Sequence, residues 1–314
     1  MSLAIVTGGA GFIGSTLVRS LIAAGHHVRV IDNLSSGKRD NLAGLASVDL
    51  CVADLRNPSV FEKYIEPGAP VFHLAAIPSV PRSVSDPVPS HESNINATFN
   101  LLQACVARKS GRVIYAASSS AYGDTEVLPK TESMRPLPLS PYAMQKLAGE
   151  YYCSVYSHCY GLETVALRFF NVFGPRQDPT SPYSGVLSIF LNCLIDQKAP
   201  SIFGDGEQSR DFTYVEDVAA LCIKASLAPA ATVSGNVYNA GNGHSYTLNQ
   251  TWRMLCEMRG LDIQPNHGPP RAGDVKDSLA DTMSAIKDLG HDPKFTFEEG
   301  LRLTLDWYQK SRGE

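Results

Sequence analysis

Residues 1–14 read MSLAIVTGGAGFIG. Leu3 to Val6 is a short apolar run rich in branched side chains, the pattern of a buried strand. Thr7-Gly8-Gly9-Ala10-Gly11-Phe12-Ile13-Gly14 then turns that strand into a helix whose amphipathic part spans Ser15–Ala24. Gly8, Gly11 and Gly14 stand three apart. In such a turn the first glycine permits the tight bend. The second lets backbone N–H groups approach a pyrophosphate, and the third lets the helix pack close on the sheet. The helix N-terminus adds about half a positive charge facing the phosphates. A dinucleotide is therefore the expected ligand of this end of the chain.

An acid stands at the distance this reading requires. Val28-Arg29-Val30-Ile31 reads as a second strand and ends at Asp32-Asn33. A carboxylate there accepts both ribose hydroxyls of an adenosine and repels a 2′-phosphate, which favours NAD over NADP. Lys38 and Arg39 pull the other way, because either can neutralise a phosphate.

The bulk numbers narrow the class. The chain has 314 residues, enough for a large core and two lobes. Its net charge is −4 and it has no basic block, which speaks against nucleic acid and membrane surfaces. No apolar run approaches the length of a bilayer span, and the N-terminal stretch is broken by glycines, unlike a signal peptide. Seven scattered cysteines, none in a C-x-x-C pair, fit reduced thiols in a cytoplasmic core better than disulfides or a metal site.

Further along, strand and helix alternate. Leu50–Ala53 reads as a third strand ending at Asp54-Leu55. Asp54 either accepts from an adenine amino group or caps a helix beginning near Pro58. Val71–Ala76 reads as a fourth strand with small residues at its end, and Arg112–Ala117 as a fifth. Between them, Ile95, Phe99, Leu102 and Val106 recur at helical spacing and predict a helix over 94–107. The alternation predicts an α/β fold, a parallel sheet covered by helices on both faces. Ligands lie outside the carboxyl ends of such strands. After the fifth strand come Ser118, Ser119 and Ser120.

Tyr142 and Lys146, in Pro141-Tyr142-Ala143-Met144-Gln145-Lys146, are four apart and share one helix face. A tyrosine has a pKa of about 10 and is a poor base at neutral pH. A nearby ammonium and a nicotinamide cation favour its phenolate and lower that value. Tyr142 then takes a hydroxyl proton while the nicotinamide takes the hydride, with a serine hydroxyl on the same substrate oxygen.

Together these residues resemble the extended branch of the short-chain dehydrogenase/reductase superfamily over nearly the whole chain. Four stretches carry the likeness: TGGAGFIG, AAIPSVPRSVSDP, LRFFNVFGPRQDP and GDGEQSRDFTYVEDV. It is nearest the NAD-dependent nucleotide-sugar 4-epimerases, and among them the bacterial UDP-N-acetylglucosamine 4-epimerases. The resemblance implies a Rossmann-type sheet with a smaller mixed α/β substrate lobe. It also implies Ser118 as the catalytic hydroxyl, Tyr142 as the base and Lys146 as its partner. Implied cofactor contacts are Gly8, Gly11, Phe12, Ile13, Gly14, Asp32, Asn33, Gly37, Lys38, Asp54, Leu55, Leu74, Ala75, Ala76, Asn96, Tyr142, Lys146 and Phe170.

For the substrate it implies Ser79, Ser118, Ser119, Ser120, Tyr142, Asn171, Gly185, Val186, Phe203, Arg210, Arg271, Asp274 and Ser278. Arg210 and Arg271 would clamp a diphosphate, two delocalised forks for two negative phosphates. Asp274 matches a carboxylate near the ribose or uracil, and Ile202-Phe203-Gly204 the segment bordering the uracil. Ser278 stands where the family varies side-chain size: a bulky aromatic narrows the pocket, and a serine leaves room for an N-acetyl group. Pro78 departs from relatives that carry a lysine there. Ser119-Ser120-Ala121 lacks the acid that 4,6-dehydratases and decarboxylating relatives place before the Tyr-Gly pair, so elimination of water would lack its acid/base pair.

The expected layout is a cofactor lobe over residues 1–170 that reclaims about 211–241, interleaved with a substrate lobe over 171–314. Gly185–Ala199 and Leu301–Tyr308 are expected helices of the latter. Helices near 95–107 and 142–157 resemble those that pair in the family's homodimers. The implied reaction interconverts UDP-N-acetylglucosamine and UDP-N-acetylgalactosamine through a 4-keto sugar. The alternatives are a UDP-glucose/UDP-galactose 4-epimerase, dual in substrate or not, and a non-catalytic NAD-binding scaffold or sensor.

Overall fold

Seven strands, each followed by a crossover, build one sheet: β1 (Leu3–Thr7), β2 (His27–Asp32), β3 (Val48–Val52), β4 (Val71–His73), β5 (Val113–Ser118), β6 (Thr164–Phe169) and β7 (Asn236–Ala240). Their order across it is β3-β2-β1-β4-β5-β6-β7 and every pairing is parallel. The computed structural model describes residues 2–178, 185–270 and 275–313. Arg271 and Asp274 therefore lie outside the described residues.

The sheet is parallel because both its faces are apolar. In β1, Ala4 and Val6 point to one core and Ile5 to the other. The first core is closed by the helices Phe12–Ala23 and Val215–Leu227, the second by Ser59–Tyr64, Ala97–Arg108 and Pro141–Tyr160. Each fully buried Val, Leu or Phe contributes roughly 1.5–3 kcal/mol. The strand order reverses between β1 and β4, which opens a crevice at their carboxyl ends.

Beyond β6 the chain builds a mixed α/β region. Helices Val186–Ile195, Leu248–Arg259 and Phe297–Arg312 share a third core with Phe173, Phe212 and Tyr214. Two of these helices start at reciprocal caps, Thr247 with Gln250 and Thr296 with Glu299, each satisfying two orphan backbone donors. Short two-stranded pairs join Ser201–Phe203 to Asn266–Gly268 and Ser209–Asp211 to Ser245–Thr247. Among the described residues, no helix is long and apolar enough to cross a membrane. All seven cysteines are free thiols, and Cys105, Cys153, Cys222 and Cys256 are buried.

Two elements differ from expectation. β4 ends at His73, short of Ala76, because Leu74 N donates back to Thr7 O (3.2 Å) and Ala75 N to Thr7 Oγ1 (3.3 Å), which draws the chain out of the sheet. The helix expected over 94–107 opens with a π-turn, Glu92–Asn96, and only then becomes the α-helix Ala97–Arg108. Its core face is Ala97, Leu101, Leu102 and Cys105. Phe99 turns outward, beside Tyr152 (5.7 Å between ring centres).

Candidate active site

One cleft of about 1520 Å³ runs along the carboxyl ends of the strands, from Asp32 and Asp54 at one end to Arg210 and Ser278 at the other. That is larger than a site for one small ligand. Gly8, Gly11, Phe12, Ile13 and Gly14 line it after β1. Gly8 takes a left-handed conformation (φ +69°), as the tight turn demands. A Cβ on Gly14 would sit 2.1 Å from the Gly8 carbonyl oxygen. Gly14 is thus required by the turn's own backbone, not by the packing of helix on sheet.

Asp32 ends β2 and is 7% exposed. Its carboxylate accepts from Ala10 N (3.0 Å) and Leu34 N (2.8 Å), which pins the β2 end to the glycine turn. Gly37 packs against Asp32: a Cβ there would lie 2.9 Å from Oδ2. It does not border the cleft itself, whereas Asn33 and Lys38 do. Lys38 is paired with Asp178 (3.2 Å). Asp54 also lines the cleft, with Leu55. It caps no helix, since the one it precedes starts at Ser59 after Pro58 with no side-chain cap. The Arg56 guanidinium grips Asp54 at 3.0 and 2.7 Å and holds its carboxyl down at about 2.

The loop after β4 supplies Leu74, Ala75, Ala76 and Ser79. Ser79 caps the short helix Val80–Ser85, accepting from Arg82 N at 3.1 Å. Arg82 is exposed at the cleft's edge. Ser93 of the π-turn and Ala97, the first residue of the helix after it, reach the wall. Asn96 is exposed and borders only a small side recess with Asp54, Arg56, Asn57 and Glu92.

Ser118 is the last residue of β5, and Ser119–Tyr122 form a single 3₁₀ turn beyond it. Ser118 Oγ lies 2.8 Å from Ser120 Oγ and accepts from Ser120 N at 3.2 Å. Tyr142 and Lys146 stand on the first turns of the helix Pro141–Tyr160, which starts at a Ser140 cap and stops at Gly161 in the left-handed region (φ +66°). The Ser118 side chain sits near enough to the Tyr142 phenol to influence its ionisation. Burial around the phenol pushes Tyr142 up from its ordinary value, and the Ser118 side chain opposes it. Burial thus works against the phenolate, while the expected depression calls on a nicotinamide cation as well. The Lys146 ammonium donates to Ala116 O (2.8 Å) and sits 5.1 Å above the Tyr115 ring. Burial pulls Lys146 down to about 8.

A buried polar ladder behind the site escaped sequence reading. Thr98 Oγ1 donates to Asn94 O (2.8 Å), so His73 Nε2–H donates to Thr98 and His73 Nδ1 accepts from Thr7. Burial, followed by the charge of Lys146, drives His73 down to about 3 and keeps it neutral. Asn94 Oδ1 accepts from Ile77 N (2.8 Å), and its amide donates to Gln145 Oε1 (2.8 Å), beside Lys146. The ladder ties the glycine turn, the β4 loop and the Tyr142 helix together. No spacing rule signals it, because the π-turn decides which asparagine faces inward.

At the other end Phe170 is fully buried, 6.1 Å from the Tyr122 ring, and lines the cleft. Asn171 donates to Asp211 O (3.1 Å) and Ser278 Oγ (3.4 Å). Arg210 donates to the carbonyls of Ser209 and Lys276 (2.8 and 2.9 Å) and lines the cleft, as do Gly185 and Ser278. Val186 and Phe203 fall outside the wall, and Phe203 is 47% exposed. Arg176, in a left-handed conformation (φ +70°), and Gln177 line the cleft though neither was singled out in the sequence.

The cradle fits a dinucleotide. The close-packed glycine turn leaves no room for side chains, an acid stands at the ribose position, and Arg176 Nε is buried without a partner beside the turn's helix.

Comparison with known proteins agrees. Residues 4–241 match the NAD dependent epimerase/dehydratase family. The UDP-glucose 4-epimerase of Mycolicibacterium smegmatis is 36% identical, the alignment covering 97% of this chain and 98% of that one. The UDP-N-acetylglucosamine 4-epimerase of Methanobrevibacter ruminantium, solved in complex with UDP-N-acetylmuramic acid, superposes with a TM-score of 0.93 at 39% identity, covering 99% of this chain and 98% of that one. The Thermus thermophilus UDP-glucose 4-epimerase, solved with NAD, gives 0.89 at 36% identity, covering 98% and 99%. With NAD as the dinucleotide of its cleft, this chain belongs to the NAD dependent epimerase/dehydratase family.

Proposed function

We propose that this NAD-dependent UDP-sugar 4-epimerase interconverts UDP-N-acetylglucosamine and UDP-N-acetylgalactosamine. The observation that carries the sugar is Ser278. It is a small side chain at the sugar end of the cleft, hydrogen-bonded to Asn171 where a bulky aromatic would narrow the pocket. The Methanobrevibacter ruminantium protein's name supports this choice. The Mycolicibacterium smegmatis and Thermus thermophilus names support a second reading, UDP-glucose and UDP-galactose, as sole or additional substrates.

NAD, when bound, accepts the C4 hydride, returns it, and brings a nicotinamide cation. Gly8, Gly11, Gly14 and Asp32 would hold it at its phosphates and adenosine ribose, with Phe170 near the ring. Tyr142 takes the proton of the C4 hydroxyl and Ser118, beside the phenol, shares that oxygen. Lys146, four residues along the same helix and anchored on Ala116 O, would supply positive charge toward the phenol and favour its ionised form. The 4-keto sugar turns about its diphosphate link, and Tyr142 gives the proton back on the other face. Arg210 and Arg271 would grip the diphosphate so that only the sugar moves, with Asp274 toward the uridine.

On this reading residues 1–170 with about 211–241 hold NAD, and the rest of 171–314 holds the UDP-sugar. A homodimer is part of the proposal. Met144, Tyr151 and Val155 are exposed along one face of the Pro141–Tyr160 helix, and Phe99 is exposed on its neighbour. Such a stripe suits a matching stripe on a second copy.

The test is a panel of UDP-sugars with no NAD added. Turnover of the acetylated pair supports the proposal. Turnover of the plain pair alone selects the second reading, and no turnover of any UDP-sugar points to a non-catalytic scaffold.

A further inference from the structure

Arg176 carries three features that its own neighbourhood does not explain. Its backbone is left-handed (φ +70°), a conformation that side chains rarely adopt. Its guanidinium donates through Nη2 to Thr16 Oγ1 (2.8 Å), on the helix that follows the glycine turn, while Nε is buried with no hydrogen-bond partner. Arg19, one turn further along that helix, likewise has a buried and unpartnered Nε. Burial and the like charge of Arg19 pull Arg176 below its ordinary value, against the weaker opposing pull of Glu216 and Tyr214. An orphaned donor, strained backbone and an adjacent like charge all cost stability, and a bound anion relieves the first and the last.

The place of the segment says which anion. Arg176, Gln177 and Asp178 line the same cleft wall as Phe12, Ile13 and Gly14. Asp178 pairs with Lys38, which comes after Asp32 in the loop beyond β2. Residues 176–178 therefore cross the groove between the glycine turn and the adenosine-ribose acid. That crossing lies over the stretch where a dinucleotide's pyrophosphate runs.

We propose that Arg176 binds the pyrophosphate of the dinucleotide and so governs how long the cofactor stays. The proposal rests on the dinucleotide reading and is independent of which sugar is epimerised.

The experiment uses the holoenzyme. Displacement of bound NAD by added NADH is followed by NADH fluorescence in wild type, Arg176→Met, Arg176→Lys and Arg19→Gln, with melting measured across a series of NAD concentrations. Losing a charge-assisted bond makes exchange about 10- to 100-fold faster in Arg176→Met. Arg176→Lys should recover part of the loss, and Arg19→Gln, outside the cleft wall, should stay within about twofold of wild type. Unchanged exchange in Arg176→Met overturns the proposal. So does equal acceleration in Arg19→Gln, which makes the effect one of packing. A melting point lowered by the same amount at every NAD concentration in both Arg176 variants marks a structural role and also overturns it. The dinucleotide reading fails separately, by absence of bound NAD from the wild type.

Discussion

Ser278 is a small residue whose replacement asks a sharp question. It is 9% exposed and touches Asn171 through its hydroxyl. Ser278→Tyr fills the recess, so turnover of the acetylated sugar should fall at least tenfold while the plain sugar keeps most of its rate. Equal loss of both, in kcat/KM measured for the two pairs, refutes the pocket argument. Lys146 offers a pH signature. Burial holds it at about 8 in the folded protein against an ordinary 10.5, so between those values the unfolded chain binds more protons. Stability of the cofactor-free protein therefore rises as pH increases through that window. Lys146→Met should flatten the rise, as read from denaturation midpoints stepped across it. Tyr142 and Lys146 were legible in the sequence because four residues make one helical turn. The balance of forces on Tyr142 was not, because it depends on how deeply the phenol sits.

At the scale of elements, the turn after β1 tolerates least. A Cβ on Gly14 lies 2.1 Å from Gly8 O and 2.8 Å from Gly9 Cα, backbone atoms that cannot swing away. Gly14→Ala should cost roughly 2–4 kcal/mol of stability and weaken NAD binding with it, checked by denaturation and by NAD titration. This turn was readable because glycine spacing reports a backbone requirement directly. The helix 97–108 was readable only in part. Its apolar residues fit a stripe through Phe99, but the π-turn before it adds a residue to one turn and rotates the rest of the helix. Asn94 consequently faces inward and Asn96 outward. Both candidate stripes were apolar, so hydropathy alone held no means of choosing.

For the whole molecule, the alternation of apolar runs was enough to foresee a parallel sheet with two covered faces, and β1 to β7 form it. Which segments meet across the cleft was out of reach. Lys38 and Asp178 are far apart in sequence, and nothing local to either names the other. The exposed stripe on the Pro141–Tyr160 helix makes a prediction at this scale. Val155→Glu, 50% exposed and remote from the cleft wall, should shift a dimer to monomer in sedimentation and lose under about 1 kcal/mol of monomer stability. A monomeric wild type at micromolar concentration refutes the homodimer.

The raised phenol of Tyr142 has one more consequence. Burial favours the neutral phenol, so the charge that ionises it has to come from inside the cleft and not from solvent. A hydride carrier bound there would bring such a charge, and oxidant and proton acceptor would then be armed together.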